Sequence, residues 1–300
     1  MRDALAHNET LTDISLYSNE IDAEGAQMIA QMLSNKQRLL TLGLSNNIIG
    51  QGGARELANV CLGQLVSLTR LALESNLIGN NGLSAISKAI VDNTSLKEIF
   101  LYNNDLDDDT MREFAASLGN KGHLQTLGLE YNRIRSRGAN HIFEVLNALP
   151  RFERLFFSHN LISEDSSQYI QQLLTMSGSI REIRLNDNTQ IGDDAGLQIA
   201  QGLLNSNTIR VCHLSDTKIS GKTAAKLSEV IRKKNASLKD LDISSNLIIM
   251  DDIEMLANAF KESAIECLNI RNNIVSAEEI VAFEHLLVPV STMTKRKFIF

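Results

Sequence analysis

Leu39-Leu40-Thr41-Leu42-Gly43-Leu44-Ser45-Asn46-Asn47-Ile48-Ile49 holds the pattern on which the whole chain is built. Apolar side chains stand at Leu39, Leu42, Leu44 and Ile49, with a fixed amide at Asn47. The alternation from Leu42 to Leu44 is that of a short strand with one face buried. Written L-x-x-L-x-L-x-x-N-x-I, with Leu, Ile, Val and Phe interchanging, the pattern occurs ten times. It opens at Leu11, Leu39, Leu68, Leu96, Leu124, Phe152, Ile180, Ile209, Leu238 and Ile265. Its amide column reads Asn19, Asn47, Asn76, Asn104, Asn132, Asn160, Asn188, Thr217, Asn246 and Asn273, at intervals of 27 to 29 residues.

Outside each strand the apolar period changes from two to about 3.6, as at Ala26, Ile29, Ala30 and Leu33, or Ala224, Leu227, Val230 and Ile231. Each unit therefore predicts a strand, a turn and an amphipathic helix, with a glycine near the helix start at Gly25, Gly53, Gly82, Gly138 and Gly196. A unit this short cannot bury its own apolar face, so neighbours must stack into one continuous core. Parallel strands pair at about 4.8 Å, whereas helices stay about 8–10 Å apart, so a sheet on one side and helices on the other force the stack to curve. The amide column falls where strand becomes turn, where a side chain can satisfy backbone groups that no ladder reaches. Thr217 offers less, and irregularity is expected at the seventh and eighth units.

The 28–29-residue unit with a full helix resembles the leucine-rich repeat family, in its ribonuclease-inhibitor-like subclass, over about residues 11–288. The resemblance implies an α/β fold: a leucine-rich-repeat solenoid, a right-handed α/β horseshoe with parallel strands on the concave face and helices on the convex face. The expected organisation is a partial N-terminal cap helix over 1–10, ten repeats over 11–288, and a C-terminal tail over 289–300. Glu278 to Leu287 reads as a last helix stopped by Pro289. The tail, with Lys295, Arg296, Lys297, Phe298, Ile299 and Phe300, departs from the period and reads as a disordered end, a final cap or a recognition signal.

Composition narrows the function. Of 300 residues 43% are hydrophobic and 22% charged, ordinary globular usage, and two domains of about 150 residues or one single-period array both fit the length. The net charge of −7 has the wrong sign for gripping phosphate backbones, so nucleic acid is not an expected partner. No apolar run reaches the roughly 18 residues of a spanning helix and Met1 to Leu11 lacks a signal-peptide core, so a cytoplasmic protein is expected, without a membrane span. Cys61, Cys212 and Cys267 are odd in number and far apart, which suits reduced core thiols.

Features that look chemical are absorbed by the repeat. Gly50, Gly52 and Gly53 lie in the repeating turn, with no Walker sequence. Acidic groups such as Asp22 with Glu24, Asp107 to Asp109, and Asp193 with Asp194 stand at helix starts, where carboxylates cap free N–H groups. His141 and Glu144 share a helix face but lack a third metal ligand, and no nucleophile elbow occurs. Neither a cofactor nor catalysis is expected. The N-x-[ST] triplets at Asn8, Asn93 and Asn235 coincide with the helix-to-strand link.

The informative residues are those that alternation turns away from the core. Between the second and third apolar places the column reads Ser15, Gly43, Ala72, Phe100, Gly128, Phe156, Arg184, His213, Asp242 and Asn269. Phe100 and Phe156 stand two units apart, flanked by Tyr102, Glu130, Tyr131, His159 and Arg184, with Gly128 expected to leave an indentation between them. Exposed aromatics among polar neighbours are the composition of a binding hot spot. Asp13, Glu74, Glu98, Asp187, Asp216, Asp240 and Asp242 make the same face acidic, favouring a protein partner with a basic or mixed surface. A monomeric, non-enzymatic interaction scaffold is the expected function. The runner-up is a GTPase activator, since the repeat is similar to that of Ran GTPase-activating proteins and Arg133, Arg135 and Arg137 cluster after the fifth strand. Stand-alone arrays of this kind also resemble bacterial effectors, which would place the chain in a host cytosol, and the repeat domains of immune receptors. Resemblance to ribonuclease inhibitors does not imply that activity, because inhibitors of that type are rich in Cys and Trp, and this chain has no Trp.

Overall fold

The computed structural model describes residues 8–233, 237–276, 278–279 and 296–299. It divides the chain into two compact units, 1–156 and 157–300. Both are α/β leucine-rich-repeat solenoid segments, a layer of parallel strands backed by helices.

In the first unit the strands are β1 (Asp13–Ser15), β2 (Thr41–Gly43), β3 (Arg70–Ala72), β4 (Glu98–Phe100), β5 (Thr126–Gly128) and β6 (Arg154–Phe156). They pair in chain order, all parallel, which aligns Ile14, Leu42, Leu71, Ile99, Leu127 and Leu155 in one register row. That row is buried, as the strand alternation requires. The helices between the strands are α1 (Ala23–Leu33), α2 (Gly50–Val60), α3 (Gly79–Ile90), α4 (Met111–Leu118) and α5 (Ser136–Asn147), each packed on the next. Close approach of the helices explains the glycine column. A methyl group on Gly53 would stand 2.7 Å from Ile49 Cγ2 and 2.9 Å from Ala26 Cβ, inside van der Waals contact. In the first repeat Leu11, Leu16 and Ile21 are only half-buried, because no earlier repeat lies against them among the described residues.

The amides do what their position predicts. Asn132 Nδ2 donates to the carbonyls of Leu101, Leu129 and Glu130 at 3.2, 2.9 and 3.1 Å, while its Oδ1 accepts from the N–H groups of Asn104 and Leu106, both at 3.0 Å. One side chain thus closes the turn of its own repeat and stitches it to the preceding one. The residue just before the amide column has φ between 48° and 59° in all ten repeats, the left-handed region in which the chain leaves the strand.

Helix starts hold a surprise. Asp22 caps its own α1, accepting from Gly25 N at 2.9 Å, as expected. Asp108 instead accepts from Arg135 N at 2.8 Å and Gly138 N at 3.2 Å, capping α5 of the following repeat. Lys121 is fully buried. Its ammonium donates to the carbonyls of Ile90 and Asn93, each at 2.8 Å, closing the end of α3, and burial pushes its pKa down to about 8. The buried Cys61 thiol is pushed up to about 12 by desolvation, as an inert core thiol should be. Asn93 is buried and binds its own link through Ser95 N and Leu96 N, which gives that sequon a structural purpose.

The second unit contains α6 (Ser167–Met176), β7 (Glu182–Arg184), α7 (Gly192–Asn205), β8 (Val211–His213), α8 (Gly221–Arg232), β9 (Asp240–Asp242), α9 (Met250–Lys261), β10 (Cys267–Asn269) and β11 (Lys297–Ile299). The strands again pair parallel in chain order. Asp193 repeats the forward cap, accepting from Ser220 N at 2.8 Å and Thr223 Oγ1 at 2.6 Å at the start of α8. Thr217 bonds the carbonyl of Leu214 at 2.7 Å but supplies no counterpart to the bond Asn188 makes to the preceding repeat through Phe157 O. The neighbouring turn is rearranged: Ile191 N bonds Asn188 O at 3.1 Å and Gly192 takes a positive φ. The same glycine conformation occurs at Gly50 and Gly79, so this irregularity is not confined to the threonine.

The tail is more ordered than its sequence suggests at Lys297–Ile299, which forms β11 on β10. Arg296 anchors it, with its guanidinium 4.1 Å from the Phe260 ring centroid and Nε donating to Ile265 O at 2.8 Å. Most of the expected cap helix over 1–10, nearly all of the last helix from Glu278 to Leu287, Pro289 and the sequon Asn235 lie outside the described residues. Among the described residues no helix is long and apolar enough to cross a membrane.

Candidate functional site

Parallel register turns the outward residues of the first unit into rows. The row before the buried one reads Asp13, Thr41, Arg70, Glu98, Thr126 and Arg154, and the row after it Ser15, Gly43, Ala72, Phe100, Gly128 and Phe156. Two residues further lie Tyr17, Ser45, Glu74, Tyr102 and Glu130.

Phe100 and Phe156 are half-buried on either side of Gly128, and Tyr131 is 56% exposed. The indentation expected at Gly128 is filled. The edge of the Phe100 ring lies 3.0 Å from where a Cβ on Gly128 would stand, with Glu130 Oε2 at 3.1 Å, so glycine leaves room for the ring beside β5. The guanidinium of Arg70 covers the other side of that ring, 4.7 Å from its centroid. Arg70 also bonds Glu98, and Arg154 donates to Thr126 Oγ1 at 3.0 Å while standing 3.4 Å from the second Glu98 oxygen. Glu98 is thereby neutralised from both sides. These two arginines stand beside the candidate residues Phe100 and Phe156, in the column one place before the buried row, whose acidic members Asp13 and Glu98 alone stood out in the sequence.

The third row keeps its acidity. Glu74 is buried and bonded by the Ser45 hydroxyl; desolvation holds its carboxyl above the usual range, against the pull of Ser45 and Arg70. The Tyr102 phenol is raised first by burial, then by the charges of Glu74 and Glu130 and by Tyr17. It remains a hydrogen-bond donor flanked by two carboxylates. Tyr131 takes φ 54° in a column otherwise filled, in this unit, by Ser18, Asn46, Ser75 and Asn103. Small polar residues tolerate that conformation; a tyrosine does so at a cost.

In the second unit His159 occupies the same left-handed column, at φ 54°, with Nε2 3.1 Å from Asp187 Oδ2. Desolvation raises the Asp187 carboxyl, with His159 acting in the opposite sense. Arg184 is exposed on β7 and donates to Glu182 through Nε at 2.7 Å and Nη2 at 2.6 Å. Asp216 bonds Lys218 at 2.5 Å, Asp240 faces His213 at 3.6 Å, and Asp242 accepts from Ser244 and Asn269. Asp216 is thus compensated by a lysine, while Asp187, Asp240 and Asp242 meet imidazoles or uncharged donors. The structure brings Phe100, Tyr102, Glu130, Tyr131 and Phe156 onto one face of the first unit, and places His159 and Arg184 on the strand and turn of the second.

Two of the three loop arginines are paired, and Arg135 is exposed. Arg133 pairs with Asp105 at 2.6 Å, and Arg137 with Asp108 and Asp109 at 3.6 and 3.2 Å. Among the described residues no group of three or more His, Cys, Asp or Glu side chains is placed to hold a metal ion.

Comparison with known proteins agrees with the architecture. The leucine-rich repeat family model matches residues 7–30 and 64–87. The ribonuclease inhibitor of Sus scrofa is 26% identical over 248 residues, covering 81% of this chain and 54% of the inhibitor; that of Mus musculus is 25% identical, covering 83% and 55%. The human NACHT, LRR and PYD domains-containing protein 12 is 25% identical over 81% of this chain and 23% of its own length. The chain thus spans about half the length of the inhibitors it matches. Among solved structures, a chain of the yeast Rad7–Elc1 complex aligns with a TM-score of 0.62 at 14% identity, covering 97% of this chain and 67% of that one. A chain of the mouse RP105/MD-1 complex aligns at 0.53 and 17%, covering 96% and 50%.

Proposed function

This is a chain of leucine-rich repeats of the ribonuclease-inhibitor-like kind, and from that premise we propose that it is a non-enzymatic scaffold that binds a partner protein on the outward face of its strands. The observation carrying the proposal is the collection of Phe100, Tyr102, Tyr131 and Phe156 on β4–β6 and their turns, in a chain whose aromatic content is only 5%. Tyr131 stands more than half exposed and in a left-handed conformation that a bulky side chain adopts at a cost. Glu74 and Glu130 beside Tyr102 favour a basic side chain on the partner, and Arg70 stiffens Phe100 from above. In the second unit, taken by itself, His159 at its left-handed turn and Arg184 on β7 are proposed as further contacts.

Replacing Phe100, Tyr131 and Phe156 together by alanine should abolish partner capture, with the circular dichroism spectrum retained. Capture at unchanged affinity by that folded variant rejects the assigned surface. The engagement of Arg133 and Arg137 by aspartates gives the GTPase-activating alternative no support beyond its repeat type.

A further inference from the structure

The turns that follow β1, β2 and β3 expose Tyr17, Ile48 and Leu77 by 60%, 55% and 64%. The place of Ile48 and Leu77, immediately after the column amide, is taken by Glu20, Asp105 and Arg133 in other repeats of this unit. Leu77 is disfavoured twice, by water and by its φ of 56°. Residues 17–22, 45–50 and 74–79 also contain Glu20, Asp22 and Glu74, and no lysine or arginine. Backbone bonds hold the turns side by side, Ser18 N to Ser45 O at 3.0 Å and Asn46 N to Glu74 O at 2.8 Å. Their pitch is therefore that of neighbouring strands, about 4.8 Å, close to the 5.4 Å rise of one α-helical turn.

We infer that this rim docks an amphipathic helix of a partner protein, laid across these turns with apolar residues on Ile48 and Leu77, which share one column, and with lysine or arginine beside its apolar stripe to meet Glu20 at the next place in that column. Charge complementarity selects the occupant, since Glu20 stands next to Ile48 in that column and the three segments hold no lysine or arginine, while Asp22 and Glu74 are already engaged by α1 and by Ser45. The inference takes from the proposed function only that the partner is a protein; it adds a surface separate from Phe100 and Phe156.

The test uses the full chain and a fluorescent Leu/Lys amphipathic peptide of about 18 residues, with its Leu/Glu counterpart as control. The unaltered protein should bind the Leu/Lys peptide at least about tenfold more tightly than the Leu/Glu one, and the double variant Ile48→Asn, Leu77→Asn should lose about tenfold or more. The double variant should melt no lower than the parent, because asparagine suits the left-handed site of Leu77. Phe156→Ala should leave peptide binding unchanged. Equal binding of both peptides, or full binding by the double variant, overturns the inference. So does loss of binding with Phe156→Ala alone, which would move the peptide to the strands and leave the proposed function standing. Self-association in sedimentation that the double variant removes would assign the rim to a second copy and overturn it too.

Discussion

The amide column and the column immediately before it are adjacent in every repeat, yet they obey different rules. The amides, Asn104 or Asn132, are buried and spend their whole hydrogen-bonding capacity on backbone. Their left-handed neighbours keep one backbone conformation while the side chain runs from Ser18 to Tyr131 to His159. Where a side chain serves the main chain, identity is fixed; where the main chain is served by others, identity is released for another use. Lys121 and the forward-capping Asp108 and Asp193 belong to the first class although they occur irregularly, and Tyr131 belongs to the second although it is bulky.

Four substitutions test that contrast. The largest effect is expected from Asn132→Leu, which strands buried donors and acceptors in two repeats and should cost at least about 3 kcal/mol in urea unfolding. A loss under about 1 kcal/mol would show that water or relaxed geometry replaces the amide.

Lys121 gives the next effect, as a pH dependence. Its folded pKa of about 8 lies below the roughly 10.4 of an exposed lysine, so between those values the unfolded chain binds more protons. Stability should therefore rise as pH increases from about 8 to about 10.4, by up to about 3 kcal/mol, and the penalty should be fully present below pH 8. In Lys121→Met that rise should vanish from the pH series; its persistence would assign the rise to other groups.

Thr217→Asn adds a second donor to the Leu185 carbonyl, which already accepts from Asn188 Nδ2 at 2.9 Å, and should stabilise by about 1 kcal/mol. No gain in melting temperature would mean that the rearranged turn at Ile191 and Gly192 has already made its own peace with the threonine. The smallest effect is expected from Tyr131→Asn, a gain of about 0.5 kcal/mol from relief of the left-handed tyrosine, accompanied by weaker partner capture. A destabilised Tyr131→Asn would show that the phenol ring packs for the fold's benefit and remove it from the site.

The period made most of the architecture legible. Strand positions, buried rows, glycine placement and the purpose of the amides all follow from spacing, because each depends on contacts one repeat away with a copy of the same sequence. Contacts without that symmetry were invisible. Lys121 looks like any solvated lysine until Ile90 and Asn93 point their carbonyls at it. Arg296 and β11 lie in a tail that breaks the repeat, so no neighbour in the sequence announces the Phe260 ring that receives the guanidinium. Phe100 and Phe156 were legible as outward residues, but the fate of the space at Gly128 depended on a rotamer, and the pairing of Arg70 and Arg154 with Glu98 depends on side-chain reach that spacing does not give.

The left-handed bend before each amide has a consequence for how such a chain can diversify. Since its shape is dictated by bonds that the bent residue's own side chain does not make, each bend is a socket that accepts interchangeable fittings. New specificity could be installed there one residue at a time, with the hydrophobic masonry behind it left untouched.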